Sequence, residues 1–320
     1  MIYAPVIIPT LNRFEHLKMC LESLNKNHNS DKTEVFISVD FPPSDKYQEG
    51  HKLICDYLEN NSFNFKKLHV FKQERNLGVC KGGENGYDNI SFLTDIVSER
   101  FDRWILSEDD NVFSPCFLDY INEGLDRYKD DNTVFSICGY RFPYNLIIDN
   151  NNFLRQQSDF NAWGYGIWKN RYDSIKKLKV DYLRKILYNP LKVLKLWRVS
   201  NLQIVHLAGL SRKNGFKKAD NFFTIYMIDK GMTQIMPAKS LVRNVGWDET
   251  GLHCLGFPND VVNRFKNQEI DDSPSFDGLK GTGWEFFKEN QKVIRDEDFQ
   301  KFSFVDALNV YIRRIICFWK

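Results

Sequence analysis

Along the first 140 residues, short apolar runs alternate with amphipathic stretches. APVIIPT (4–10) is an almost unbroken apolar run and reads as a buried strand. In NRFEHLKMCLESLNK (12–26), Phe14, Leu17, Cys20, Leu21 and Leu24 recur at helical spacing. Asn12, with Glu15 three residues later, resembles a helix-capping pair. EVFISVD (34–40), LHVFKQE (68–74), RWILSED (103–109) and TVFSICGYRF (133–142) repeat the strand pattern. Helices are expected within 47–60, after the Gly-rich start of 82–99, and over 115–129. Apolar strands separated by amphipathic helices predict an α/β fold whose parallel sheet is covered on both faces. Ligands of such sheets bind beyond the carboxyl ends of the strands. Thr10, Asp40, Arg75 and the triplet Glu108-Asp109-Asp110 all follow strands, so they are expected along one edge.

Beyond about residue 150 the pattern is less regular. FNAWGYGIW (160–168) reads as a loop of packed rings, and 181–187 and 190–197 read as helical. NFFTIYMIDKG (221–231) suits either a strand or a helix. Strands and turns are expected over 234–254, and an apolar helix over 303–320. No repeat and no clean linker interrupts the chain. Three parts are expected: 1–145, 146–262 and a helical extension over 263–320.

Composition changes this picture in two ways. The formal charge of the 320 residues is only +2, which does not suggest a nucleic-acid binder, but positions 169–218 carry 14 Lys and Arg against two acids. Such a block suits an anionic partner. The seven cysteines are scattered and form no C-x-x-C pair, which fits a reducing compartment. The start of the chain lacks the form of a signal peptide, and no apolar run approaches the roughly 20 residues that span a bilayer. A cytoplasmic protein is expected, and the 169–218 block reads either as a peripheral contact at the inner membrane face or as an ordinary solvated helix face with its apolar side in the core.

The chemistry centres on three adjacent acids where a buried strand ends. One acid is enough to cap the next helix, whereas three repel each other unless a cation sits among them. Oxygen-only ligands suit Mg²⁺ or Mn²⁺, and such sites recruit substrate phosphates as further ligands. Asp109 and Asp110 are the candidate metal ligands, and a phosphate ester or anhydride is the candidate substrate.

The segments VIIPTLNRFEHLKMCLESL, FISVD, QERNLGVCKGGENG and LSEDD, in that order, resemble the GT-A glycosyltransferases of the large inverting family 2 type. LSEDD stands where that family has its D-x-D motif, and the E-D-D variant is similar to N-acetylglucosaminyltransferase I-like enzymes. The resemblance covers residues 1 to about 145 and weakens afterwards. It implies a Rossmann-like, mostly parallel sheet with a mixed acceptor-binding second half. It also implies a metal-dependent transfer of a sugar from a nucleotide-diphospho donor, UDP favoured, to a glycan or lipid-linked glycan in bacterial surface polysaccharide assembly. By the same resemblance Pro9, Thr10, Asn12 and Arg13 wall the nucleotide pocket, and Asp40 accepts from base or ribose. Arg75, Asn76, Gly78 and Lys81 belong to a loop over the donor, with Glu108 and Asp109 at the ribose or metal.

An inverting transfer needs a carboxylate that deprotonates the acceptor hydroxyl. Asp220 is the first candidate, although its place before an apolar element also suits a helix cap; Asp248 and Glu249 are the alternatives. His253, in NVGWDETGLHC, is either a metal ligand, which favours Mn²⁺, or a diphosphate contact, or a histidine satisfied within a glycine turn. Trp163, Gly164 and Tyr165 resemble the aromatic-glycine segment that lines the acceptor pocket, while Trp168 reads as core. Two other activities fit a related scaffold: a sugar nucleotidyltransferase, whose Gly-rich basic signature after the first strand is missing here, and a non-catalytic glycan- or membrane-binding protein.

Overall fold

The computed structural model describes residues 3–78, 88–148, 152–212, 219–248, 259–273, 275–297 and 301–316. The elements of the first part are β1 (Val6–Thr10), α1 (Phe14–Asn25), β2 (Glu34–Val39), α2 (Gln48–Asn60), β3 (Lys67–Lys72), α3 (Asn89–Ser98), β4 (Arg103–Leu106), β5 (Asn111–Phe113), α4 (Phe117–Arg127) and β6 (Val134–Cys138). There follow β7 (Phe153–Gln156), β8 (Tyr165–Trp168), α5 (Lys169–Lys176), α6 (Val180–Leu187), α7 (Pro190–Val199), α8 (Asn201–Leu210) and α9 (Asp220–Lys230). The last are β9 (Thr233–Pro237), β10 (Val242–Asn244), α10 (Asn259–Lys266), α11 (Phe287–Glu297) and α12 (Phe304–Ile316).

The main sheet has the order β3-β2-β1-β4-β8-β6-β9-β7. β3, β2, β1 and β4 run parallel. β8 is inserted antiparallel between β4 and β6, so β6 and its parallel neighbour β9 again point the same way as β1. The fold is α/β, with a mostly parallel sheet flanked by helices. β1 and β2 are buried at every position, which is why they read as unbroken apolar runs rather than alternating ones.

One local feature opens the sheet. β1 pairs with β4 only at Val6 and Ile7, whereas its ladder with β2 continues to Thr10. The Ile7 carbonyl accepts from Ser107 N at 3.0 Å, so the main-chain groups two residues on, at Pro9, also face β4. Proline has no N–H to offer there. The strands part at that point, and the crevice between them lies at the carboxyl edge. β5 and β10 form a separate antiparallel ribbon that closes one side of it.

Several expectations need correction. Residues 165–168 of the aromatic-glycine segment are a buried central strand, not loop; only the stretch up to Gly164 turns. Gly164 has φ +69°, and a Cβ there would crowd Phe117 and Val242. Residues 221–231 are helical, and Gly231, at φ +69°, ends that helix. Asn12 does not cap α1: Arg13 holds the cap position, and no side chain bonds the first turn. β5 and β7 had no counterpart in the pattern because strands of three or four residues, each with only two apolar positions, are too short to show a period. No helix among the described residues is long and apolar enough to cross a membrane.

The second half is knitted to the sheet by aromatic packing. Phe160 is buried and meets Phe135, Tyr165 and Phe223 edge-on or tilted within 6 Å of ring centre, while its N–H donates to Thr224 Oγ1 on α9 at 2.8 Å. Phe160→Ala is expected to cost about 3–5 kcal/mol, as ring deletions in close-packed cores do, read as a lowered urea midpoint with unchanged slope.

Candidate active site

The triplet leaves β4 directly into the crevice and is tied down from both ends of the chain. Thr10 Oγ1, at the tip of β1, donates to Asp109 Oδ2 at 2.8 Å. Arg13 reaches back from the start of α1 and bridges the pair, with Nη1 on Asp110 Oδ2 at 2.7 Å and Nη2 on Asp109 Oδ1. Asn244, at the end of β10, donates to Asp110 Oδ1 at 2.6 Å, and Val245 N donates to the Asp110 carbonyl at 2.8 Å. Gly246 packs so closely that a Cβ there would overlap Asp110 Oδ2. Every oxygen of both aspartates thus accepts at least one protein hydrogen bond.

The electrostatics divide the acids into two kinds. Burial and the neighbouring Asp110 push the Asp109 carboxyl up, against the pull of Arg13 and Thr10. Burial works against the Arg13 charge, but Asp109 and Asp110 more than offset it and hold the guanidinium charged. The Glu108 carboxylate bonds no side-chain donor among the described residues, and burial with repulsion from Asp110 and Asp220 drives its pKa well up. Asp220 opens α9. Its surface is exposed, yet surrounding protein desolvates it and lifts its pKa to about 6. It does not cap its helix: Ala219 holds that position.

Asp220 is near enough to the triplet for charge to couple them. Its charge reaches Glu108 and also Cys138 at the end of β6, whose thiol burial pushes up to about 12. Trp163 adjoins this point through its carbonyl, 3.8 Å from Cys138 Sγ. The Trp163 ring is half-buried, edge-on to Tyr140 at 4.6 Å and to Trp247 at 6.2 Å. Register sets Tyr165 opposite Leu106, which brings Gly164 beside the triplet.

Other expected residues sit differently. Asp40 lies at the end of β2, but its carboxylate accepts from the N–H groups of Phe41, Leu77 and Gly78, all at 2.8–2.9 Å. It organises the 76–78 loop rather than standing open to a nucleotide. Asn76 is turned onto the Phe41 carbonyl at 2.6 Å. Arg75 is exposed and makes no ion pair among the described residues. Pro9 is buried in β1, and Asn12 is crowded by Gly50, where a Cβ would overlap its carbonyl. The Tyr165 ring is buried against Phe160, so Trp163 is the ring left at the cleft. Trp168 is core, donating to the Leu125 carbonyl at 3.0 Å. Asp248 is exposed, with its Oδ2 3.0 Å from His16 Nε2. Lys81, Glu249 and His253 lie outside the described residues. Asn244 and Gly246 were missed; the signal was the N-x-G at the end of a short strand, which reads as an ordinary turn.

Among the described residues no three His, Cys, Asp or Glu side chains cluster closely enough to hold a divalent cation by themselves. Hard cations such as Mg²⁺, however, are often held by one or two carboxylates and completed by substrate phosphates. Two aspartates share one guanidinium, which leaves this corner short of positive charge, and their donors are oxygen. In charge and donor type the residues fit Mn²⁺ or Mg²⁺.

No protein-family model and no curated protein matches the chain. Solved structures do. A mannosyltransferase from Pyrobaculum calidifontis, determined with GDP-mannose and Mn²⁺, aligns at TM-score 0.35 and 11% identity over 54% of this chain and 46% of its own. Mouse xyloside xylosyltransferase 1 aligns at TM-score 0.38 and 12% identity over 83% and 94%. S. aureus TarS aligns at 0.30 and 14% over 47% and 24%. The chain therefore spans under half of the mannosyltransferase and about a quarter of TarS. At these scores the likeness sets neither family nor activity, which rest on the residues themselves.

Arg13→Ala leaves two buried carboxylates without their partner, a change that typically costs about 3–5 kcal/mol. The loss is expected in urea unfolding at pH 8 and is expected to shrink at pH 4, where protonation relieves the repulsion.

Proposed function

We propose that this protein is a metal-dependent glycosyltransferase of the GT-A type. It moves a sugar from a nucleotide-diphospho donor, UDP favoured, to a glycan or lipid-linked glycan with inversion. The observation that supports this reading is the Asp109–Asp110 pair bridged by Arg13 at the carboxyl edge of the sheet, with Glu108 and Asp220 near enough for their charges to couple. In the proposed division, 1–145 holds the donor, 146–262 supplies base and acceptor contacts, and 263–320 braces the second half.

Asp109 and Asp110 would hold Mn²⁺ or Mg²⁺, with His253 as the third proposed ligand. When bound, the cation supplies positive charge to the departing diphosphate. The chain's own residues do the rest. Thr10, Asn12 and Arg13 flank the donor, and Arg13 and Arg75 add charge against its phosphates. Trp163 presents a ring face to sugar C–H groups beside Gly164. Asp220 takes the proton from the acceptor hydroxyl as that oxygen attacks the anomeric carbon, while the bond to the diphosphate breaks and its electron pair leaves with the phosphate. A pKa near 6 keeps Asp220 ionised at neutral pH yet basic enough to accept that proton.

Thermal shift with UDP, GDP and CMP, each with and without Mn²⁺, tests the donor site. One nucleoside diphosphate is expected to raise the melting temperature, more so with Mn²⁺, and Asp110→Ala is expected to erase the metal-dependent part; no response to any of them sinks the reading. For the base, turnover is expected to rise with pH through about 6 and then level. Asp220→Asn is expected to lose about 10²–10⁴-fold in kcat. The sign on stability is opposite. An acid whose pKa rises on folding destabilises the fold once ionised, so the same variant is expected to melt higher than the parent at pH 8 and not at pH 4.

A further inference from the structure

Six of the fifteen large apolar side chains left exposed among the described residues belong to two helices, Leu191 and Leu194 on α7 and Phe304, Val305, Ile312 and Ile316 on α12. The two helices are in contact. Trp197 of α7 packs on Phe304 at 5.0 Å and on Tyr311 at 6.1 Å. Tyr311 Oη also donates to the carbonyl of Leu187, at the end of α6, at 3.1 Å. The burial of α12 explains only its inner side: Ala307 is buried and Tyr311 half-buried, whereas Val305, Asn309, Ile312 and Ile316 recur at helical spacing on the outside. Leu191, 77% exposed, and Leu194 face outward from α7.

Cations are interspersed with these chains. Lys185 on α6, Arg198 on α7 and Arg313 on α12 are exposed and pair with no acid among the described residues. The acids on the same helices are Asp181, which pairs with Arg184, and Asp306, which accepts from Ser303 Oγ at 2.6 Å in the cap of α12 and keeps its charge, so the three cations outnumber the one uncompensated acid.

We infer that the outer face of α7 and α12 is a docking surface for an anionic lipid bilayer. The chemistry matches on both counts. Apolar side chains enter the acyl boundary, and the cations around them meet lipid phosphates. A second copy of the chain is the weaker fit: a twofold interface would set this face against itself and bring Lys185, Arg198 and Arg313 of each copy onto like charge. The surface stands apart from the cleft, and the inference does not depend on the transferase reading.

Co-sedimentation of the full chain with vesicles tests it. Binding is expected to vesicles of mixed phosphatidylglycerol and phosphatidylcholine, weaker to phosphatidylcholine alone, and reduced by high salt. Leu191→Asp with Ile312→Asp is expected to weaken binding at least about tenfold, and Lys185→Glu with Arg313→Glu to abolish its lipid selectivity. These sites are exposed, so circular dichroism is expected to be unchanged, and Leu53→Asp, exposed on α2, is expected to bind like the parent. Equal pelleting of parent and variants, or a dimer in size-exclusion chromatography that the same substitutions dissolve without any vesicle binding, overturns the inference.

Discussion

Carboxyl groups crowd together at the fork where β1 and β4 part, and a single guanidinium holds the two most buried of them. The fork exists because Pro9 offers no N–H toward β4 beyond the last paired residue. Strand β4 is then free to turn its next residues into the gap. Like charges at that spacing repel, so the arrangement persists only while donors fill it. They come from far apart in the chain: Thr10 and Arg13 lie just after the first strand, and Asn244 is on the last. The corner is therefore complete only when the β5–β10 ribbon is in place. A site built this way reports the integrity of the whole fold rather than of one half.

β1, β2 and β4 were legible because they are buried at nearly every position, and β3, half-buried at the edge of the sheet, because its middle is mostly apolar. A strand buried on both faces must be apolar at every position, and an amphipathic helix must show its 3.6-residue period. The carboxyl edge followed from strand direction alone, so the triplet, Asp40 and Arg75 were expected on the correct side of the sheet. Legibility failed where the controlling contact is distant in sequence. β8 hid inside an aromatic-glycine segment because its neighbours, β4 and β6, are what bury Tyr165 and Trp168. Residues 221–231 are apolar nearly all round, and such a run has no period to separate helix from strand; the buried faces of Phe222, Ile225 and Ile228 arise from tertiary packing.

The site itself was legible in residue type and less so in use. Asp40 was expected at the ligand but serves the 76–78 loop, because three main-chain N–H groups converge on it and a buried carboxylate stays where its donors are. Arg13 was expected in the pocket wall, which did not anticipate that it bridges Asp109 and Asp110. Asn244 and Gly246 were not visible at all. Their importance is one of close approach, an amide reaching Asp110 and a missing Cβ beside it, and neither leaves a mark in composition or periodicity.

The acids of the cleft are not equivalent, and that difference bears on how an anionic substrate can enter. Asp109 and Asp110 are compensated by Arg13 and by neutral donors from Thr10 and Asn244. Glu108 and Asp220 have no such partners among the described residues, and desolvation penalises their charge. A diphosphate brought into this cleft adds negative charge where the protein already has a surplus. Hydrogen-bond donors alone do not cancel that surplus, since they are largely spent on the aspartates. Binding of the proposed donor would therefore require positive charge to arrive with the ligand or to come from a free cation such as Arg75, which is exposed and makes no ion pair among the described residues. In the proposed reading, a divalent cation that travels with the phosphates would meet this requirement.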